Sequence, residues 1–218
     1  MLGALTDNWE LWRDAVLGTL TLFFASGALA LVLGFVVGAM RVSPVPIARA
    51  VGTAYVNTIR NTPLTLVFFV FVFAVPVILG ARIDLMLLGI LALGIYTATY
   101  VAETLRSGIN TVPVGQAEAA RAVGLTFSQV MTSVVLPQAA RAVVPPMMSV
   151  LIALLKNTTV AATFASAVIN LGSIRSTLSE RGENSLDVLL WVALFFIVLV
   201  LLLSWLQQVL ERRWKVAR

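Results

Sequence analysis

The sequence predicts an all-α integral membrane protein, a single domain of about five transmembrane helices. Composition is the first observation behind that expectation: 60% of the 218 residues are apolar and only 11% charged, a balance typical of membrane-embedded chains. The second is a mean hydropathy of +0.98. The third is the recurrence of apolar stretches of roughly 20 residues, the length a helix needs to cross a bilayer core. Little chain is left for a soluble domain.

Several function classes are excluded at once. There is no Cys and no His, which removes thiol chemistry, the usual structural zinc and histidine catalysis from this chain. No G-x-x-x-x-G-K-[ST] loop occurs, so any ATP consumed is bound by another chain. The net charge of +5 follows membrane topology and is no sign of nucleic-acid binding.

Residues 1–12 mix Asp7, Trp9, Glu10 and Trp12 with apolar residues. They predict a short amphipathic segment at the membrane interface, where Trp is favoured. A basic start and a cleavage site are missing, so the segment is expected to be retained. The first span is expected over residues 15–40. Its Gly34 and Gly38 form a G-x-x-x-G step that permits close helix approach, with packing inside the subunit as the expected use. Arg41, Ser43, Pro44, Pro46 and Arg49 make a short basic turn.

The second span is expected over residues 51–79. Pro63 falls inside it, removes a helix hydrogen bond and frees the carbonyl of Ile59. Arg60, Asn61 and Thr62 beside that break are costly in lipid and should face protein or a watery cavity. For Arg60, snorkelling to the membrane surface is the alternative. Residues 80–84 form a turn, and the third span follows over 85–105. Glu103 and Arg106, three residues apart on one face, are placed to pair at its inner end.

The fourth span is expected over residues 138–165, with Pro145 and Pro146 making its first turns irregular. Lys156 is the only lysine before the tail, and it sits deep, followed by Asn157 and Thr158. An intramembrane lysine is a functional candidate; the alternatives are a structural pair, with Glu103 as the partner, or a bond to a backbone carbonyl. Residues 166–187 are polar and too long for a simple turn, which suggests a short helix or cap on the far side. The fifth span is expected over residues 188–206, followed by a basic tail.

With the N-terminus outside, the inner segments hold nine Lys and Arg residues and the outer segments four. That bias places residues 118–137 and the C-terminus in the cytoplasm.

The segment 118–137, EAARAVGLTFSQVMTSVVLP, reads as two short helices broken at Gly124. Pro113 suits the first turn of the first helix. Gly124 suits the left-handed position past its end. Thr126 and Gln129 form a capping box for the second helix, flanked by the Leu125–Val130 staple. Pro137 marks the start of the next segment. Such a punctuated unit is either a docking knob for a soluble partner or a linker between spans.

The spacing of Glu118, Ala119, Ala120, Gly124, Val134, Leu136 and Pro137 resembles the EAA loop of ABC importer permeases, with Val134 where Ile is commoner. In that family the loop inserts into a groove of the ATP-hydrolysing subunit. Further stretches are similar to the polar amino acid (histidine/glutamine/glutamate) branch. They include Arg60, Thr62, Pro63 and Leu64; Tyr100, Glu103, Arg106 and Gly108; and the run from Leu154 to Thr159. The likeness covers residues 15–210, and the run from Asn170 to Arg175 brings it nearest to actinobacterial glutamate permeases.

The resemblance implies a type I importer (MetI-like) permease fold in a bacterial plasma membrane. It implies a permease dimer, here a heterodimer with a second related subunit. A cytoplasmic ATPase dimer would carry ATP and Mg, and an extracytoplasmic amino-acid-binding protein would deliver substrate. This chain would hold no cofactor, metal or catalytic residue. Glu118, Ala119, Ala120, Gly124, Leu136 and Pro137 would couple to the ATPase. Arg60, Thr62, Lys156, Asn157 and Thr158 would line the substrate pathway.

Two departures bear on substrate. Asn157 stands where the family often has Asp, and Met148 and Ser149 stand where Asn or Gly-Asn is common. Without that carboxylate, the surroundings of Lys156 are more positive, which favours an anionic amino acid, glutamate or aspartate. The competing reading is a structural or assembly subunit of a membrane complex without its own substrate site. A membrane enzyme is disfavoured by the lack of His, Cys and a carboxylate pair in a span.

Overall fold

A computed structural model describes residues 2–164 and 169–214. The expected end of the fourth span at Ala165, the start of the polar segment at 166–168, and the tail beyond 214, with Lys215 and Arg218, lie outside the described residues. The described elements are helical throughout: α1 (Leu2–Thr6), α2 (Trp9–Val42), α3 (Pro46–Arg60), α4 (Leu64–Leu79), α5 (Leu85–Asn110), α6 (Val114–Ala122), α7 (Phe127–Val160), α8 (Ala161–Phe164), α9 (Ile174–Glu180) and α10 (Ser185–Trp214).

Four helices, α2, α5, α7 and α10, are long and apolar enough to cross a membrane. The fifth crossing is the bent pair α3–α4. Helices α2 and α5 run parallel, and small residues bring them close. A Cβ on Gly34 would lie 2.5 Å from Val101 Cβ and 2.9 Å from the Ala98 carbonyl oxygen; one on Gly38 would lie 3.0 Å from Leu105. The G-x-x-x-G step thus serves packing inside the subunit, as expected. Two parallel neighbours require a return crossing between them, and α3–α4 supplies it. Helix α7 packs against both, with Leu154 and Leu155 in one core beside Leu22, Phe23, Phe68 and Leu93.

The expected second span is corrected most. It is no kinked single helix over 51–79: α3 and α4 meet at 98° across Asn61–Pro63. The Ile59 carbonyl is not free either, because it accepts from the Thr62 N–H at 3.2 Å. Proline 63 has no N–H and serves as the N-cap of α4. Helix α3 lies across α2 and α5, with Val56 buried beside Val37 and Ala102 and the Tyr55 hydroxyl donating to the Ile95 carbonyl at 2.7 Å.

The N-terminal expectation is also corrected. Trp9 begins α2, and Trp12 is fully buried rather than interfacial. Its indole N–H donates to the Ala4 carbonyl at 2.9 Å, and its ring stacks on Phe195 at 5.4 Å. Together with Leu171, Ile174 and Leu178 it forms a small core at this end of the bundle. The polar segment does contain the expected short helix, α9.

Helix α7 corrects two further expectations. It does not begin anew at Pro137, and it is not broken by Pro145 and Pro146; α-helix runs unbroken from Leu136 to Asn157. A wide turn precedes Pro137, in which the Leu136 N–H donates to the Met131 carbonyl five residues back. The same device precedes Pro76, with the Val75 N–H donating to Val70. Proline cannot donate and its ring crowds the carbonyl four residues earlier. A single π turn relieves that crowding without ending the helix. The third and fifth spans extend past their expected ends, to Asn110 and Trp214.

Candidate coupling loop and substrate pathway

The loop between α5 and α7 is built from local signals. Pro113 caps α6 rather than entering its first turn, and α6 starts at Val114. At the other end Gly124 has φ +93°, a left-handed conformation that glycine adopts without cost. Its N–H donates to the Arg121 carbonyl at 2.9 Å, and the Leu125 N–H to the Ala120 carbonyl at 3.2 Å. That pair of bonds is a Schellman motif, which satisfies two of the helix's last carbonyls.

Helix α7 then starts with its expected capping box. The Thr126 side chain accepts from the Gln129 N–H, and the Gln129 side chain accepts from the Thr126 N–H at 2.9 Å. Leu125, Val130, Ala120 and Val135 form one apolar cluster under the turn. Gln138 ties α7 back to α6 by donating to the Gln116 side chain.

Five of the six expected coupling residues, Glu118, Ala119, Gly124, Leu136 and Pro137, are exposed; Ala120 is buried in the cluster beneath. The geometry adds residues that the motif does not name. Val114 and Val123 are 71% and 80% exposed on the loop, and Phe127, the first residue of α7, is 48% exposed. Apolar side chains on such a loop suit a partner surface. Their type in a polar segment was the available signal.

The expected pathway residues do not converge within this chain. Arg60 ends α3 and lies 4.0 Å from Glu103. The Thr62 hydroxyl donates to the Thr58 carbonyl at 2.8 Å. Thr158 is 1% exposed and donates to the Leu155 carbonyl at 2.6 Å, so it supports the helix from inside. Asn157 is half-buried. Lys156 is exposed and its ammonium has no hydrogen bond or ion pair among the described residues; the expected pair with Glu103 does not form. It opens onto a groove of about 420 Å³, lined also by Thr159 of α7 and by Phe196, Ile197, Val200 and Leu201 of α10.

Glu103 is taken by arginines instead. Arg106 donates to Oε1 at 2.6 Å, as its spacing predicts, and Arg41 donates to Oε2. Arg41 is 62 residues away in the chain, and no local pattern announces the pair.

A bundle of this topology, with a punctuated loop and a lysine in a candidate span that has no side-chain partner among the described residues, fits a multi-span transport subunit built to work with other chains. The chain belongs to the family described as binding-protein-dependent transport system inner membrane component, matched over residues 30–216. It is 42% identical over 196 residues to the glutamate transport system permease protein GluC of Corynebacterium efficiens, covering 85% of this chain and 83% of the relative. It is 39% identical to the probable glutamine ABC transporter permease protein GlnM of Bacillus subtilis, covering 96% and 95%. Among solved structures, an amino acid ABC transporter with histidines superposes with a TM-score of 0.89 at 26% identity, covering 96% of both chains. The MetNI methionine ABC transporter in an inward-facing form gives 0.79 at 27% identity, covering 95% and 97%. The MetI-like permease fold expected from the resemblance is therefore the fold of this chain.

Proposed function

We propose that this chain is the membrane permease subunit of an ATP-driven importer for a polar amino acid, with glutamate, or aspartate, as the substrate. The observation that carries the transport reading is the loop: an EAA-type spacing held by a Schellman motif and a capping box, with an apolar outer face. An assembly subunit would need neither the spacing nor the exposed face. ATP and Mg belong to a partner ATPase dimer, which docks on Glu118, Ala119, Gly124, Leu136 and Pro137, with Ala120 supporting them from below. The chain contributes a lever and half a pathway and performs no catalysis.

Lys156 supports the anionic substrate. It faces a groove without a countercharge among the described residues of its own chain, and such a charge within a membrane needs one. A second permease subunit closes the groove, and a substrate carboxylate meets Lys156 there, with Arg60, Thr62 and Asn157 shaping the route and the buried Thr158 supporting the helix behind them. The likeness to both GlnM and GlnP of Bacillus subtilis supports a heterodimer of related permeases. The Lys and Arg bias supports a cytoplasmic loop and C-terminus, with an amino-acid-binding protein docking on the opposite face.

Reconstitution in liposomes with the neighbouring permease, ATPase and binding protein tests the reading. Glutamate-loaded binding protein is expected to stimulate ATP hydrolysis, and Gly124→Asp to abolish the stimulation. Stimulation by another amino acid alone would overturn the substrate. Failure of any ATPase to associate with the chain would overturn the function.

A further inference from the structure

The Glu103 carboxylate is the meeting point of three guanidiniums from three helices: Arg41 of α2, Arg60 of α3 and Arg106 of α5. One negative charge against three positive ones leaves an excess of two. No other carboxylate pairs with these arginines among the described residues. Three guanidiniums offer about fifteen N–H donors, and a carboxylate accepts about four. Only Arg41 and Arg106 reach Glu103 at hydrogen-bonding distance. The side chain of Arg41 is 9% exposed and sealed in the bundle, whereas those of Arg106 and Arg60 are 36% and 46% exposed. The open donors therefore belong to Arg60 and Arg106.

Arg41 lies in the last turn of α2, and Glu103 and Arg106 lie toward the end of α5; Arg60, in the last turn of α3, comes within 4.0 Å of Glu103 where the chain bends into α4. Guanidiniums near the end of a span are least costly at a membrane surface. The chain leaving Arg60 becomes α4, which exposes Leu66, Phe69 and Val70. A basic site thus stands beside bare apolar surface.

We propose that Arg60 and Arg106, backed by the sealed Arg41–Glu103 pair, bind a phosphate-type oxyanion, and that the headgroup of an anionic phospholipid supplies it. A guanidinium fork matches two phosphate oxygens. Basic pockets between membrane helices recognise headgroups by this chemistry. The phosphate neutralises part of the excess charge, and the acyl chains lie along α4. Bound there, the lipid fixes Arg60 and with it the bend at Asn61–Pro63. Assignment to the inner leaflet rests on the topology proposed above; binding itself does not.

The test uses the delipidated full chain in detergent. Its thermal unfolding midpoint is read by tryptophan fluorescence during titration with phosphatidylglycerol, phosphatidylcholine or inorganic phosphate. Phosphatidylglycerol is expected to raise the midpoint saturably and phosphatidylcholine not. Arg60→Gln, half-exposed and outside hydrogen-bonding distance of Glu103, should keep the fold and raise the half-saturating phosphatidylglycerol concentration about fivefold. Arg106→Gln should weaken it likewise. If inorganic phosphate reproduces the shift and the same variants remove it, the oxyanion site stands and free phosphate is its occupant. Equal responses to the two lipids, or an Arg60→Gln response equal to wild type, would overturn the site. Transport plays no part in the readout, so failure of the importer reading would leave this result intact.

Discussion

Arg41, in the last turn of α2, donates to the Glu103 carboxylate on α5, joining the two parallel spans at the end where the coupling loop begins. Losing Glu103 would strand Arg41, whereas losing Arg41 leaves Glu103 paired with Arg106. Removing one partner of a fully buried pair costs about 3–5 kcal/mol. Glu103 is 27% exposed and keeps Arg106, so Arg41→Ala should cost less, about 2 kcal/mol. Arg60→Ala, at 4.0 Å and 46% exposed, should cost under about 1 kcal/mol. Thermal unfolding of the two variants in detergent checks the ranking; equal losses would mean that Arg41 has no special role.

Gly34 lets α2 and α5 approach closely, and any side chain there meets both Val101 and the Ala98 carbonyl. Gly34→Ala should destabilise by about 1–3 kcal/mol, the usual cost of overpacking. Adding Val101→Ala should restore little of it, because the Val101 Cβ at 2.5 Å and the Ala98 carbonyl oxygen at 2.9 Å both remain. A double variant restored to wild-type stability would place the strain on the Val101 methyl groups alone.

What the sequence disclosed depended on whether a signal was local. The loop was legible because Gly124, Thr126 and Gln129 act on backbone groups within a few residues of themselves. Glu103 and Arg106 were legible for the same reason. The 98° turn after Arg60 was not. Pro63 announces a lost hydrogen bond, but the direction of the chain afterwards is set by Val56, Tyr55 and Phe68 finding places on α2 and α5. Pro137, Pro145 and Pro146 misled in the opposite sense, since a π turn and the surrounding bonds keep α7 continuous. The burial of Trp12 depends on Phe195 and Ala4, and only one of those is a neighbour in sequence.

On the loop, Val123 and Phe127 separate docking from folding. Val123 is 80% exposed, so Val123→Asp should change stability by less than about 0.5 kcal/mol. If it sits in the ATPase groove, the same change should weaken association by about thirtyfold, the size of an interface hot spot. Val130→Asp is the contrast: Val130 is 4% exposed in the cluster under the turn, and a charge there should unfold the loop itself. Co-purification of the ATPase and thermal unfolding, measured together, distinguish the two. Normal ATPase association by Val123→Asp would remove that residue from the docking face.

The proposed pathway makes Lys156 and Asn157 the residues that set substrate charge. An uncompensated ammonium in the membrane interior is costly, and no acceptor for Lys156 exists among the described residues of its own chain. Countercharge must come from the second permease subunit or from the substrate. If the substrate supplies it, Lys156→Ala should lower glutamate uptake at least about tenfold, the effect of losing roughly 1.4 kcal/mol of binding, while uptake of a neutral amino acid such as glutamine falls less. Asn157→Asp places a carboxylate one residue along the same helix turn. It should lower the local positive potential and shift preference from glutamate toward glutamine without removing the lysine. Competition assays in reconstituted liposomes read both ratios. If both variants take up glutamate as the wild type does, the groove between α7 and α10 is not the substrate site, and the partner subunit becomes the place to look for the carboxylate's cation.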